Sequence, residues 1–133
     1  MSILDDAARQ FLQKPLIARI STIDADGYPH TVPVWFILDG DDIVVMGMRS
    51  TRKVSHMLAN PKGAAQIGGQ EGDGGGYLLK GEWSVEEDPD DYWMRTITYH
   101  YEDGEQAAKD VAAWADLDIV AMRLRPKVVL KVA

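Results

Sequence analysis

The sequence predicts a mostly β fold with peripheral helices (α+β), a partly open barrel of six to seven short antiparallel strands filling one domain over residues 1–133. Three observations lead there. Short apolar runs rich in branched side chains alternate with Asp/Gly turn sequences. One helical segment interrupts them after the third run, and a longer one precedes the sixth. The length leaves no room for a second domain.

Taken in order, residues 3–13 read as an amphipathic helix, with Leu4, Ala8, Phe11 and Leu12 at helical spacing and Pro15 ending it. Residues 16–23 read as a strand, closed by Asp24-Ala25-Asp26-Gly27. A second strand over 30–38 turns at Asp39-Gly40-Asp41 into a third over 42–48, so two successive hairpins predict a meander. Pro33 lacks the ladder donor and places the second strand at an edge or a bulge. Ser50 or Thr51 caps a helix that runs to Ala59 and stops at Asn60-Pro61. A strand over 63–68, a glycine-rich loop over 68–76 and a strand over 77–86 follow. Asp88-Pro89 opens one or two helices over 89–115, breaking near Asp103-Gly104. Two last strands, 118–124 and 127–132, are separated at Arg125-Pro126.

Composition removes several chemistries. The chain has no cysteine, which excludes disulfides, thiolate metal sites and a cysteine nucleophile. His30, His56 and His100 stand singly, without metal-ligand spacing, so no metal is expected. No apolar run is long enough to span a bilayer, and the first residues do not read as a secretion signal, which makes the cytoplasm the expected location. The net charge of −7 argues against nucleic acid and acidic membranes as partners. Its distribution is more informative, because all 21 acids lie outside residues 46–70, where Arg49, Arg52, Lys53 and Lys62 fall.

Arg49, Arg52 and Lys53 surround a predicted helix start, where the helix dipole disfavours cations. A bound phosphate reverses that sign, accepting bonds from free amides and charge-assisted bonds from the side chains, with Ser50 and Thr51 as further donors. A solvated basic turn is the alternative.

Ser50-Thr51-Arg52-Lys53, six residues, then Asn60-Pro61 resembles the signature of the pyridoxamine 5′-phosphate oxidase-like split β-barrels, which bind FMN. Residues 26–36, Asp-Gly-Tyr-Pro-His-Thr-Val-Pro-Val-Trp-Phe, are similar to that family's first hairpin and second strand. The resemblance covers residues 16–68 and thins beyond them. It implies that Arg52 and Lys53 grip the cofactor phosphate. It also implies that Thr31, Val32, Pro33, Val34 and Trp35 run beside the flavin ring, and that Met46, Gly47 and Met48 lie under it. The missing Gly47 side chain suits close approach of a flat ring. A homodimer with the cofactor at its interface is implied as well. Thr31 replaces an arginine that the true oxidase uses, and its C-terminal arginine and histidine elements lack a convincing counterpart. The resemblance therefore implies the cofactor class and not vitamin B6 oxidation. Pro-Val-Trp-Phe followed by Asp-Gly is equally similar to members that use the deazaflavin F420.

The resulting expectation is a homodimeric FMN protein acting as an oxidoreductase on an unnamed small molecule. An F420-dependent reductase, or a flavin- or haem-binding protein without turnover, is the alternative. No catalytic acid or base is nominated, because a flavin supplies the hydride chemistry itself. Trp83, Tyr92, Trp93, Tyr99, Tyr101 and Trp114 form an aromatic group that serves either a substrate pocket or packing.

Overall fold

The computed structural model describes residues 2–132. Asp5 caps the first helix, accepting a bond from Ala8 N at 2.7 Å, so α1 spans Asp6–Phe11 and starts later than its apolar spacing suggested. Ala8 and Phe11 are buried, together with the flanking Leu4 and Leu12.

The strands are β1 (Ala18–Ile23), β2 (Pro29–Val34), β3 (Ile37–Asp39) and β4 (Asp42–Met48) before helix α2 (Arg52–Ala59). Then come β5 (Lys62–Gly68), β6 (Gly76–Glu86), α3 (Tyr92–Tyr101), α4 (Gly104–Trp114) and β7 (Ile119–Lys131). All seven join one sheet in the order β2-β1-β5-β6-β7-β4-β3. Every pairing is antiparallel.

The expected meander is corrected at residues 30–38. That segment is two strands, not one, and they form the opposite edges of the sheet. Only Trp35 and Phe36 separate them. Val34 to Ile37 can span at most roughly 10 Å. A seven-stranded sheet whose first and last strands are tied that closely has to curl until its edges face one another. The edges do not pair, and the result is a split barrel. Pro33 sits on the edge strand β2, as its missing donor requires. At the crossing, Phe36 is fully buried and its N–H donates to Tyr101 Oη at 3.0 Å. Tyr101 Oη in turn donates to Leu16 O at 2.5 Å.

A second correction concerns the C-terminus, where the two expected strands are one continuous β7. Pro126 is accommodated by a register shift opposite Lys80 and Gly81. A Cβ on Gly81 would lie 2.0 Å from Arg125 O, so only glycine fits against the bulge.

The break between α3 and α4 falls at Asp103-Gly104 as expected, with Asp103 accepting from Gln106 N at 3.0 Å. Asp88 caps α3 from a distance. Pro89–Asp91 form one 3-10 turn, and the Asp88 carboxylate reaches across it to Trp93 N at 2.9 Å and Met94 N at 3.0 Å. The inner sheet faces meet in one core that includes Ile20, Phe36, Val45, Ile67, Leu79, Trp83, Met122 and Leu124. On the outer side α3 covers Val44 and Ala121 with Ile97. Arg123, mostly buried, bonds Glu86, Asp39 and Asp42 at 2.8, 2.9 and 3.1 Å and fastens the β3–β4 hairpin to β6 and β7. Among the described residues no helix is long and apolar enough to cross a membrane.

Candidate functional site

The sheet stays open along one seam, and the candidate site lies there. β3 is short and pairs with β4 only as far as Val44, so the remainder of β4 faces the seam without that partner. A hollow of about 520 Å³ is lined by Pro33, Val34 and Trp35 from one side and Met46 from the other, closed by Ile17 and Trp114. A second hollow of about 230 Å³ shares Met46 and Trp114 and continues over Gly47, Met48, Leu117 and Ile119. The two stretches nominated from the sequence, separated by the β3 hairpin, thus face a common cleft.

Within the first stretch the contributions differ. Pro33, Val34 and Trp35 line the cleft, whereas Thr31 and Val32 do not. The Thr31 hydroxyl is within hydrogen-bonding distance of Ser21 Oγ at 2.9 Å on the outer face, and Val32 packs on the core. Trp35 stacks on Tyr101 with ring centroids 4.9 Å apart and planes 7° apart.

The basic segment also divides. Arg49 is committed elsewhere, with Nε 2.9 Å from Asp118 and Nη2 2.5 Å from Glu87. These two carboxylates hold its guanidinium protonated well above the usual range. Both lie outside the acid-free stretch, so a count of charges along the chain did not reveal the pairing. Arg52 and Lys53 form no ion pair among the described residues. Arg52 and Ser50 are exposed. Thr51 occupies the N-cap of α2, yet its hydroxyl donates to Met48 O at 2.8 Å instead of capping. The first turn of α2 therefore has no side-chain cap and no acid, and its leading amides remain available.

Lys53 is half-buried, and burial lowers the pKa of its ammonium. A Cβ on Gly47 would stand 3.0 Å from Lys53 Cε, 3.0 Å from Nζ and 3.0 Å from Met122 Cε. The space left by Gly47 is taken up by the lysine. Glycine here admits a cation beside β4. The consequence is a positive charge with no counter-ion among the described residues, on the Met122 side of Gly47 and next to the open end of α2.

His56, on the same helix, turns away. Its Nδ1 lies 2.9 Å from Thr22 Oγ1, and its ring meets His30 edge-on at 5.0 Å. Neither histidine lines the cleft. Among the described residues no group of three or more potential ligands is placed to hold a metal. The aromatic group splits as well. Trp83 is core, with Nε1 donating to Ser21 O at 3.1 Å. Trp93 packs on the second cluster, Tyr92 and Tyr99 are exposed, and Trp114 reaches the cleft. Ile17, Leu117 and Ile119 are lining residues the sequence did not single out. Each is an ordinary apolar residue away from the motifs, and only the curled sheet brings it to the seam.

A seven-stranded antiparallel sheet curled around one open seam, with a lysine-bearing helix end beside it, defines a split barrel of the pyridoxamine 5′-phosphate oxidase-like type. Residues 4–132 match the family described as Pyridoxamine 5'-phosphate oxidase, and the chain belongs to that family. No curated protein matches it significantly in sequence. Among solved structures it resembles an F420 reductase, with TM-score 0.76 and 20% identity over 96% of this chain and 98% of the other. It also resembles General Stress Protein 26 from Bacillus anthracis, with TM-score 0.69 and 18% identity over 93% and 89% of the two chains. A third is HutZ, the heme storage protein from Vibrio cholerae, with TM-score 0.71 and 18% identity over 98% and 95%. At these identities the likeness is one of fold.

Proposed function

We propose that the chain binds FMN along the seam and works as an oxidoreductase on a small molecule. The observation that carries this reading is the half-buried Lys53 ammonium without a counter-ion, beside an uncapped helix N-terminus. Two features that are each unfavourable alone become favourable around a phosphate. Arg52 and Lys53 hold that phosphate, with the leading amides of α2 and the Ser50 hydroxyl as supplementary donors, the Thr51 hydroxyl being taken by Met48 O. The ring extends from there over Met48, Gly47 and Met46 toward Trp35, where apolar walls exclude water. Bound FMN supplies the hydride chemistry. No acidic or basic side chain lines either hollow, so no proton-transfer role is assigned to any residue.

A homodimer completes this reading. Val128 and Leu130 project from β7 at 45% and 43% exposure beside Leu78 of β6, an apolar patch bordered by Lys80 that a second copy would cover. F420 in the same cleft is the second reading, favoured by the close fold likeness to the F420 reductase. A haem protein is less well supported, because no histidine reaches the cleft.

Titrating the purified protein with FMN and with F420 in parallel tests the proposal. Tight uptake of FMN with a flavin band at about 450 nm, and reduction of that band by a nicotinamide donor, is the expected result. Uptake of neither cofactor refutes it, and strong preference for F420 moves the assignment to the second reading.

A further inference from the structure

We propose that the larger hollow is the substrate subsite and that it takes an uncharged, planar aromatic molecule. This rests on the flavin reading in one respect, the allotment of the smaller Met46–Met48 hollow to the cofactor. The larger hollow, about 520 Å³, is lined by Ile17, Pro33, Val34, Trp35, Met46 and Trp114. None of these side chains carries a charge. The cations of the neighbourhood are engaged or set back. Arg19 turns to Gln66 Oε1 at 3.3 Å, Arg49 is held by Glu87 and Asp118, and Lys53 lies against Gly47 on its Met122 side and lines neither hollow. A carboxylate or phosphate entering here would shed hydration and meet no partner.

A flat ring meets two indoles instead, in a volume suited to a small molecule. One wall is fixed in advance. Trp35 lies flat on Tyr101, whose hydroxyl donates to Leu16 O and accepts from Phe36 N–H. Leu16 adjoins Ile17 and Phe36 adjoins Trp35, so the same hydroxyl braces both flanks of the hollow. A wall held this way loses little freedom when a ring stacks on it. The arrangement selects against phosphorylated substrates, including phosphate esters of vitamin B6, through the absence of any receiving cation.

The test is isothermal titration of the protein, both as purified and saturated with FMN, with 2-naphthamide and 2-naphthoate. These share ring and size and differ in charge. The amide is expected to bind at least about tenfold more tightly than the carboxylate. Ile17→Lys, at a position already 39% exposed, should shrink or reverse that ratio. Trp114→Ala should weaken amide binding by about fivefold or more. Equal affinity for the two probes, binding of neither, or a ratio untouched by Ile17→Lys overturns the proposal. Binding of neither is also the outcome if a second copy of the chain fills the hollow. Flavin absorbance in the same samples keeps the two readings apart. Uptake of FMN without probe preference removes the subsite and leaves the cofactor. Probe preference that depends on Ile17, in a chain that never takes FMN, does the reverse.

Discussion

Replacing Lys53 by methionine separates what the lysine does for a ligand from what it does for the fold. Methionine keeps the unbranched reach and the helix propensity and removes only the charge. In the ligand-free protein the ammonium is half-buried without a counter-ion, and its pKa is lowered by burial. The folded value thus lies below the unfolded value of 10.5. Between the two the unfolded chain binds more protons, so stability rises with pH through that window, and the charged form costs stability below it. Lys53→Met removes the cost and the slope together. Unfolding in urea at neutral pH should show the ligand-free variant as stable as the parent or more so, by no more than about 1 kcal/mol given partial exposure. FMN binding should move the other way. Loss of one charge-assisted bond to phosphate is worth about 1.5–3 kcal/mol. That is a roughly ten- to hundredfold weaker Kd, read by quenching of flavin fluorescence on titration. Unchanged FMN affinity would refute the phosphate role. A ligand-free variant destabilised by well over 1 kcal/mol would show instead that the ammonium is a structural group whose partner has been misjudged.

Three further outcomes follow from the scaffold. Tyr101→Phe leaves the buried Phe36 N–H and the Leu16 carbonyl without their shared hydroxyl, which should cost about 1–3 kcal/mol in chemical denaturation. Burial pushes the Tyr101 hydroxyl up to about 12 from 10, so the unfolded chain ionises first and stability should fall from pH 10 to 12, a decline that the phenylalanine variant loses. Gly63→Ala would set a Cβ 2.1 Å from Trp83 Nε1 and 2.5 Å from Ser21 O, and calorimetry should show a loss of about 2–3 kcal/mol. Glu102 is pushed up to about 6 by the neighbouring Asp110 carboxyl, by burial and by the charge of Asp103. Its contribution to stability is present below 4.5 and lost as pH rises through 6. Asp110→Asn should bring the Glu102 titration down toward the ordinary carboxylate range, as followed by carboxyl NMR.

What could be read along the chain was local. Turn sequences, the helix break at Asp103-Gly104, the edge position of Pro33 and the helix between Thr51 and Asn60 depend on neighbours a few residues away, and each holds. What could not be read depended on partners far along the chain. Trp35 and Phe36 have ordinary strand character, so nothing within residues 30–38 shows that the strand divides and sends its halves to opposite edges. Pro126 looked like a terminator because a proline interrupts a ladder. Gly81, 45 positions earlier, supplies the close approach that lets β7 continue past it. The same limit applied to charge. The stretch without acids pointed to three cations together, and Glu87 and Asp118 withdraw Arg49 from the set by arriving from the end of β6 and the start of β7.

The division of residues 30–38 is also what makes the cleft. Had Trp35 and Phe36 continued one strand, residues 33–35 would have been shut inside a ladder with β4. Because the strand divides, β2 and β3 become the two free edges, and the crossing sets Trp35 against the part of β4 that β3 is too short to cover. Chain order then distributes the site. The strand before the crossing supplies the apolar wall, and the strand after the hairpin supplies Met46, Gly47 and Met48. The helix directly following β4 carries Lys53 back over Gly47. A cation placed by a helix that follows its strand after only three intervening residues has little freedom to be anywhere else. Lys53 and Gly47 are thus one device, in which the missing side chain on the strand makes the space that the lysine fills.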